Sequence, residues 1–174
     1  MLTAQMRASA GQEYPIHTLK PGWAEQDPDI WVTAALNCIR EAVQQAGIAP
    51  CDMAGIGLTG QMHSLVCLDN YGQPVRQAIL WAEQRSAEQL HTLTASIGRE
   101  NLTAWISNPL ATGFMFTSWA WLRDHEPCTA ANTRWLLLAK DQVRYKLTGV
   151  LGSEPNDASN IANRSPLLMV ARFF

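Results

Sequence analysis

The residues after Gly60 are the first in the chain whose types suit the binding of a polar ligand. Gln61, Met62 and His63 bring together an amide, a thioether and an imidazole. An imidazole both donates and accepts hydrogen bonds, and a thioether makes adaptable apolar contacts. This segment therefore predicts a polar pocket wall. The alternative is that Met62 fills a core and His63 lies in a surface turn, as isolated histidines often do.

A second group of candidate side chains is Trp81, Glu83 and Arg85. An indole ring suits the C–H faces of a carbohydrate, but a tryptophan at the end of a strand is as often structural. Glu83 and Arg85 are able to bond a ligand or each other, and an ordinary surface position is favoured for both. Glu83 and Arg85 are nevertheless candidates for substrate binding, together with Trp81.

Three short strands are expected to position these side chains. Met53–Thr59 carries apolar residues at every second position with glycines between them, which predicts a buried central strand. Leu65–Leu68 and Ala78–Trp81 are two further apolar runs, and the turn residues of Asp69–Gly72 join them as antiparallel strands. Ligands of open α/β sheets tend to bind at strand ends, where the polar groups stand here.

Apolar residues at helical spacing predict the elements that surround these strands. The predictions are a helix from Pro28 to Gly47 capped by Asp27, a helix from a capping box at Ser86 to Gly98, a helix with Met115, Trp119 and Leu122 on one face, a strand over Trp135–Leu138, and a short helix capped by Asp141 that ends at Gly149. Residues 99–113 are expected to be irregular, with a turn at Asn108-Pro109. Strands that alternate with helices indicate an α/β layered domain.

Composition narrows the class of protein. The 174 residues suffice for one domain with a substantial core, and 47% of them are hydrophobic. A net charge of −2 without a basic cluster argues against a nucleic-acid partner. The four cysteines are widely spaced and indicate buried free thiols rather than disulfides or a metal site. No secretory signal and no apolar run of about 20 residues is recognised, so we expect a cytoplasmic protein without membrane contact.

Several motifs of the chain resemble the amino-terminal domain of the FGGY carbohydrate kinases, and among them the xylulokinases most closely. The matching segments are Gly60-Gln61-Met62-His63, Leu68-Asp69, Gln77-Ala78-Ile79-Leu80-Trp81 with Arg85, Trp23-Ala24-Glu25-Gln26-Asp27-Pro28, Lys140-Asp141-Gln142-Val143-Arg144, Leu147-Thr148-Gly149 and Asp157-Ala158-Ser159. They cover roughly residues 12 to 162 in the order that the family has.

The resemblance implies a ribonuclease-H-like, actin-type fold with a mixed sheet and flanking helices, here incomplete. Residues 1–164 correspond to part of the sugar-side domain, and residues 165–174 no longer resemble the family and are expected to be an aberrant tail. The Met-His pair of the family contacts the sugar, which gives that role to Met62 and His63. Lys140 is expected to face the cleft. Where the family usually has Asn-Asp, this chain has Ala82-Glu83, which puts the substrate contact there in doubt.

The implied activity is transfer of the γ-phosphate of ATP, with Mg²⁺, to a pentulose such as xylulose. The family's Asp-x-Gly-Thr phosphate motif, its catalytic aspartate and its adenine-binding glycines have no counterpart in this chain. We therefore expect a fragment that is inactive alone, has no assignable catalytic base and binds no cofactor tightly. The alternatives are a kinase for ribulose, glycerol or another polyol, and a noncatalytic remnant that associates with itself through an open sheet edge or the interdomain face.

Overall fold

The computed structural model describes residues 5–106 and 109–153. Helices and short strands alternate along the chain. Their bounds are β1 Glu25–Gln26, α1 Pro28–Ala46, β2 Val66–Leu68, β3 Ala78–Ile79, α2 Ala87–Ile97, α3 Arg99–Ile106, α4 Met115–His125, α5 Pro127–Asn132, β4 Trp135–Leu137 and α6 Ala139–Thr148, with a 3₁₀ turn at Pro50–Asp52.

The strands form one antiparallel arrangement in the order β1-β3-β2-β4. β1 pairs with β3, and β2 pairs with β4 so that Val66 faces Leu137. Leu65 and Ile79 join the two pairs, since the amide of each donates to the carbonyl of the other at 2.8 and 3.0 Å. All strand pairs among the described residues are antiparallel, so the parallel part of the expected mixed sheet is not found there.

The turn between β2 and β3 confirms the predicted hairpin. One carboxylate oxygen of Asp69 accepts hydrogen bonds from the amides of Tyr71 and Gln73 at 2.8 and 2.9 Å. The chain then reverses at Gly72, whose φ of 72° suits a glycine. This hairpin leads the chain back towards Trp81 at the end of β3.

The sheet is a middle layer with a hydrophobic core on each face. Leu65 and Cys67 face one side and Val66 and Leu68 the other, as the period of two in a strand requires. The first side packs on α4, and the second packs on Trp31 of α1 and on the start of α6. The expected α/β layered architecture is therefore confirmed, as are the helix capped by Asp27 and the strand near Trp135.

The stretch Met53–Thr59 is not the buried central strand that its pattern predicts. It is exposed along its whole length, with 54% of Ile56 accessible to solvent, and it has no strand assignment. A strand requires a ladder of hydrogen bonds to a neighbour, and no described segment pairs with this one. Apolar residues do alternate in this stretch, but the described chain provides no neighbouring strand that would bury them.

Three local predictions also differ from the structure. Residues 99–106 form helix α3, in which Leu102 is buried, instead of an irregular segment. At the start of α2, Ser86 is buried and makes no capping bond, while Gln89 donates to Asp124 at 2.9 Å. Asp141 is not a helix cap, because α6 begins two residues earlier and places its carboxylate in the buried first turn.

Some predictions fall on residues that the structure does not describe. These are the motif Asp157-Ala158-Ser159, the proposed tail over residues 165–174, and Asn108 of the expected turn. Among the residues that are described, none of the helices has the length and apolarity that a membrane span requires.

Candidate functional site

A cavity of about 440 Å³ lies beside the end of β3 and brings two predicted site residues together. Gln61 and Trp81 both line it, and 53% of the surface of Trp81 is accessible to solvent. Its walls come from the segment Leu58–Gln61, from α1 and from the first turns of α6, and Lys140 is among them as expected. The volume lies within the range of small-molecule sites.

The polar groups of this cavity are held by a short chain of hydrogen bonds. Gln26 accepts from the indole of Trp31 at 2.9 Å and from the amide of Gln61 at 3.5 Å. Its own amide donates to the carbonyl of Pro15 at 3.2 Å. Gln26 is therefore fixed by the fold, and Gln61, which donates to it, lines the same cavity as Trp81.

His63, two residues after Gln61, has an unusual backbone conformation. Its φ is 62°, and the amide of Ser64 donates to the carbonyl of Met62 at 2.8 Å, so His63 is the central residue of a three-residue turn. A positive φ is costly for a residue with a Cβ and is found mainly where surrounding contacts impose it. Here the half-buried imidazole stacks on Phe114, with ring centroids 3.9 Å apart.

Met62 is 47% exposed, and neither it nor His63 is among the described residues that line the cavity. The two are nevertheless connected to Trp81 through the start of α4. A Cβ on Gly113 would lie 2.1 Å from the carbonyl oxygen of Trp81, so this loop touches the strand end directly. Phe114, the next residue, carries the ring on which His63 stacks.

Glu83 and Arg85 occupy a buried ion network instead of the surface. Glu83 is only 1% exposed, and its carboxylate accepts from the amide of Ala24 at 3.0 Å and from the guanidinium of Arg85 at 2.7 Å. Arg85 also pairs with Glu25 at 2.6 Å, and Glu25 pairs with Arg76. The expectation of an ordinary surface position is wrong for both residues, because each neutralises the other's charge inside the fold.

Two tryptophans complete the environment of Arg85. Its guanidinium carbon lies 3.6 Å from the ring centroid of Trp23 and 4.9 Å from that of Trp121. The network therefore joins β1, the loop after β3 and α4. In this arrangement Glu83 and Arg85 fix the loop that carries Trp81, and they do not line the cavity with Gln61.

Sequence reasoning missed Gly113, Phe114 and the tryptophans around Arg85. Gly113-Phe114 stands directly before an apolar helix, and a glycine followed by an aromatic residue at a helix start was the available signal. The role of Trp23 has no local signal, because it depends on contacts across more than sixty positions of the chain.

A magnesium site is not found within residues 5–106 and 109–153, where no three His, Cys, Asp or Glu side chains are placed to hold a metal ion. The chemistry that this part of the chain supports is hydrogen bonding and ring stacking with a small polar ligand.

Comparison with known proteins identifies the family. Residues 3–164 match the model of the FGGY family of carbohydrate kinases, N-terminal domain. The chain is 36% identical over 152 residues to the xylulose kinase of Bacillus subtilis, which covers 87% of this chain and 30% of that protein. It is 37% identical over 122 residues to a glycerol kinase of Bradyrhizobium, which covers 69% of this chain and 24% of that protein.

The fold is shared with a solved relative. The crystal structure of xylulose kinase from Rhodospirillum rubrum matches with a TM-score of 0.86 and 25% identity, over 93% of this chain and 34% of that one. This agreement confirms the expected actin-type fold. The chain spans about a third of the length of these proteins. It belongs to the FGGY family of carbohydrate kinases.

Proposed function

We propose that this chain is the sugar-side part of an ATP-dependent kinase of the xylulokinase type. The observation that carries the proposal is the convergence of the Gln61 carboxamide and the exposed Trp81 ring on one cavity of about 440 Å³. Carbohydrate sites combine an aromatic face for C–H groups with fixed polar groups for hydroxyls. The names of the relatives support a pentulose as the substrate.

Each predicted site residue has a part in this proposal. The ring of Trp81 stacks on the sugar, and the amide of Gln61 bonds one hydroxyl. His63, held against Phe114, and the exposed Met62 do not line the cavity, so their proposed roles are a hydrogen bond and an apolar contact to a part of the sugar that extends beyond it. Glu83 and Arg85 act indirectly, since their network fixes the loop that carries Trp81.

No residue of this chain is assigned a role in the transfer of the phosphoryl group. ATP and Mg²⁺, when bound to a whole kinase, supply the phosphate and neutralise its charge. Phosphoryl transfer works only when all groups converge, so we expect no tight binding of ATP to the 174 residues alone. We further expect no release of ADP that depends on both ATP and sugar. Detection of such turnover with the pure chain would contradict this expectation.

Sugar binding itself is tested by thermal denaturation. A ligand that binds only the folded state raises the melting temperature. We expect xylulose to raise it for the wild type and for the control Gln77→Ala, whose exposed amide is outside the cavity. The increase should be lost in Gln61→Ala. Stabilisation of all three proteins to the same extent would place the sugar elsewhere.

Glycerol or another polyol is the second candidate substrate. The similarity to a glycerol kinase supports it. In the same assay, ribulose, glycerol and xylulose are compared at equal concentrations. The sugar that gives the largest stabilisation is the one that the cavity selects.

The remaining candidate is a noncatalytic remnant that associates with itself. The exposed stretch Met53–Thr59 leaves extended backbone open to pairing, which supports it. A molecular mass that increases with concentration, together with no response to any sugar, would favour this function over the kinase. We propose a cytoplasmic location, because the cysteines of the described chain are free thiols.

A further inference from the structure

A second cavity lies between helices α2 and α4, apart from the candidate sugar site. We call it the α2–α4 cavity, and its volume of about 430 Å³ lies within the range of small-molecule sites. Its described lining has no residue in common with that of the Gln61–Trp81 cavity. The side chains that decide what it binds are Glu88, Gln89 and Leu93 of α2, and Ala120, Arg123 and Asp124 of α4.

The carboxamide of Gln89 lies between the two helices and has an unused acceptor. The residue is 6% exposed, and its Nε2 donates across the gap to Oδ2 of Asp124 at 2.9 Å. An ionised carboxylate only accepts hydrogen bonds, so the nitrogen has to be the atom that faces Asp124. The carbonyl oxygen, Oε1, is then buried without a partner among the described residues. A buried acceptor that is left unpaired costs free energy, so a donor bound there would stabilise the protein.

The charged side chains of the cavity favour a cation. Glu88 and Asp124 are exposed carboxylates, and Arg123 is the one cationic side chain of the described lining. Two negative charges and one positive charge leave a formal charge of −1 on this lining. A ligand with a single positive charge is therefore attracted to the cavity and neutralises it.

A protonated amine on a short alkyl chain matches these groups in more detail. An ammonium has three donors and no acceptor, so it is able to bond Oε1 of Gln89 and the carboxylate of Asp124 together. Leu93 and Ala120 lie four positions from Gln89 and Asp124 on the same helix faces, and they offer an apolar surface to methylene groups. A calcium or magnesium ion takes about six or more oxygen ligands and makes no use of that surface.

We propose that the α2–α4 cavity binds a small molecule with one protonated primary amine on a short alkyl chain. The ammonium donates to Gln89 and to Asp124, and Glu88 adds a second negative charge to the same cavity. The methylene groups pack on the apolar side chains, while the charge of Arg123 opposes the ligand and limits its affinity. This site is independent of the proposed function, because the candidate sugar site shares no described lining residue with it.

Matched small molecules test this assignment with the whole 174-residue chain. The probe is n-butylamine, which is protonated at neutral pH because alkylamines titrate near the lysine value of about 10.4. n-Butanol has the same alkyl chain without the charge, and butyltrimethylammonium has the charge without N–H donors. Norvaline is butylamine with a carboxylate on its first carbon. Nα-Acetyllysine amide presents an aminobutyl group as a polypeptide would. NMR titration of the backbone amide signals gives the dissociation constants.

We expect the wild type to bind butylamine about tenfold more tightly than butanol or butyltrimethylammonium, which corresponds to about 1.4 kcal/mol. Gln89→Met, which removes the acceptor and keeps a side chain of similar length, should lose most of that preference, as should Asp124→Asn. Arg123→Gln should bind butylamine about two- to threefold more tightly, because a repelling charge is removed. Glu100→Gln, a change at an exposed carboxylate of α3 outside the cavity, should bind as the wild type does.

Melting curves show whether each variant is folded. Arg123 is exposed, so Arg123→Gln still tests the proposal if a change to Gln89 or Asp124 unfolds the protein. A wild type that binds butylamine no better than butanol, or binds neither, would overturn the proposal, as would unchanged butylamine binding by Arg123→Gln.

Two further results would assign the cavity to another ligand and would also overturn the proposal. Tighter binding of norvaline than of butylamine would show that the ligand is a zwitterion held by Arg123. Tighter binding of Nα-acetyllysine amide would show that it is a lysine of a polypeptide. Sugar-dependent stabilisation is measured separately and changes in none of these cases, so failure here is distinct from failure of the proposed function.

Discussion

The carboxylate of Glu83 connects the loop after β3 to the chain just before β1 through its two oxygens. One oxygen accepts from the backbone amide of Arg85, and the other accepts from the amide of Ala24 and from the Arg85 guanidinium. Since Trp81 lies two residues before Glu83, the geometry of the candidate sugar site depends on this buried contact. We therefore expect Glu83 to set the position of the Trp81 ring and not to contact the sugar.

Replacing Glu83 by glutamine should therefore destabilise the protein strongly. The change leaves the Arg85 guanidinium without one of its two buried counter-charges, and removing one partner of such a pair costs about 3 kcal/mol or more. Urea denaturation measures the free energy of unfolding. Glu88→Gln, on the exposed face of α2, is the matched control and should change it by less than about 0.5 kcal/mol. Similar values for both variants would contradict the role of the network.

Cys67 provides a second prediction at the residue scale, through pH. Burial raises the pKa of its thiol from the ordinary value of 9.0 to about 12. The unfolded chain therefore loses this proton first as pH rises above 9.0, and the folded chain loses stability until about pH 12. The stabilising contribution is fully present below pH 9.0 and declines above it.

The measurement is the free energy of unfolding between pH 8 and 11, compared with Cys67→Ala. The wild type should lose about 1.4 kcal/mol per pH unit more than the variant in the upper part of this range. The expectation of buried thiols is wrong for Cys51 and Cys128, which are both exposed. Cys128→Ala, which removes such an exposed thiol, should therefore follow the wild type. Parallel curves for the wild type and Cys67→Ala would show that the buried thiol does not titrate as proposed.

At the scale of elements, the start of α4 links His63 to Trp81. Gly113 has a φ of 76°, and a Cβ there would meet the Trp81 carbonyl at 2.1 Å. Gly113→Ala should therefore combine backbone strain with a displaced strand end, costing about 3 kcal/mol. It should also weaken sugar-dependent stabilisation, because the Trp81 ring moves with its backbone.

The control for this substitution is Gly47→Ala at the end of α1. Gly47 also has a positive φ, of 64°, but nothing lies within 4 Å of its Cβ position. It should show the strain alone, about 1 kcal/mol, with sugar binding unchanged. If the two variants lose equal stability in thermal denaturation, the contact between Gly113 and Trp81 does not matter for the site.

The same elements show what sequence reasoning was able to predict. The sequence predicts α1 with its cap because Asp27-Pro28 and Gly47 are local signals. It predicts the β2–β3 hairpin because Asp69–Gly72 is a run of turn residues. Ser86 and Asp141 have the residue types of helix caps, but in the structure both are buried and neither caps a helix. Local patterns therefore predicted the elements better than the environment of single side chains.

The site was predicted in part for the same reason. Gln61 and Trp81 were recognised from motif and residue type, and the fold brings them to one cavity. The burial of Glu83 and Arg85 depends on Trp23, Glu25 and Trp121, which are distant in sequence, so the pattern of their own segment does not reveal it. Residues that form a network across elements require the tertiary structure.

At the scale of the whole molecule, the exposed stretch Met53–Thr59 shows most clearly that a sequence pattern and the surroundings of a segment can disagree. Its alternation is that of a buried strand, yet the described residues provide no strand to pair with it. The chain spans about a third of the length of its relatives, and the candidate site that its described residues form is a cavity lined by Gln61 and Trp81. Binding of the sugar is therefore the part of the kinase function that this chain can be tested for.

The most direct test is calorimetric titration of xylulose into the wild type, Trp81→Ala and the control Tyr71→Ala. Tyr71 is an exposed aromatic residue of the hairpin turn, outside the cavity. We expect saturable binding by the wild type and Tyr71→Ala, and a dissociation constant about tenfold higher for Trp81→Ala, which corresponds to about 1.4 kcal/mol. Absence of binding by the folded wild type, or equal binding by all three proteins, would contradict it.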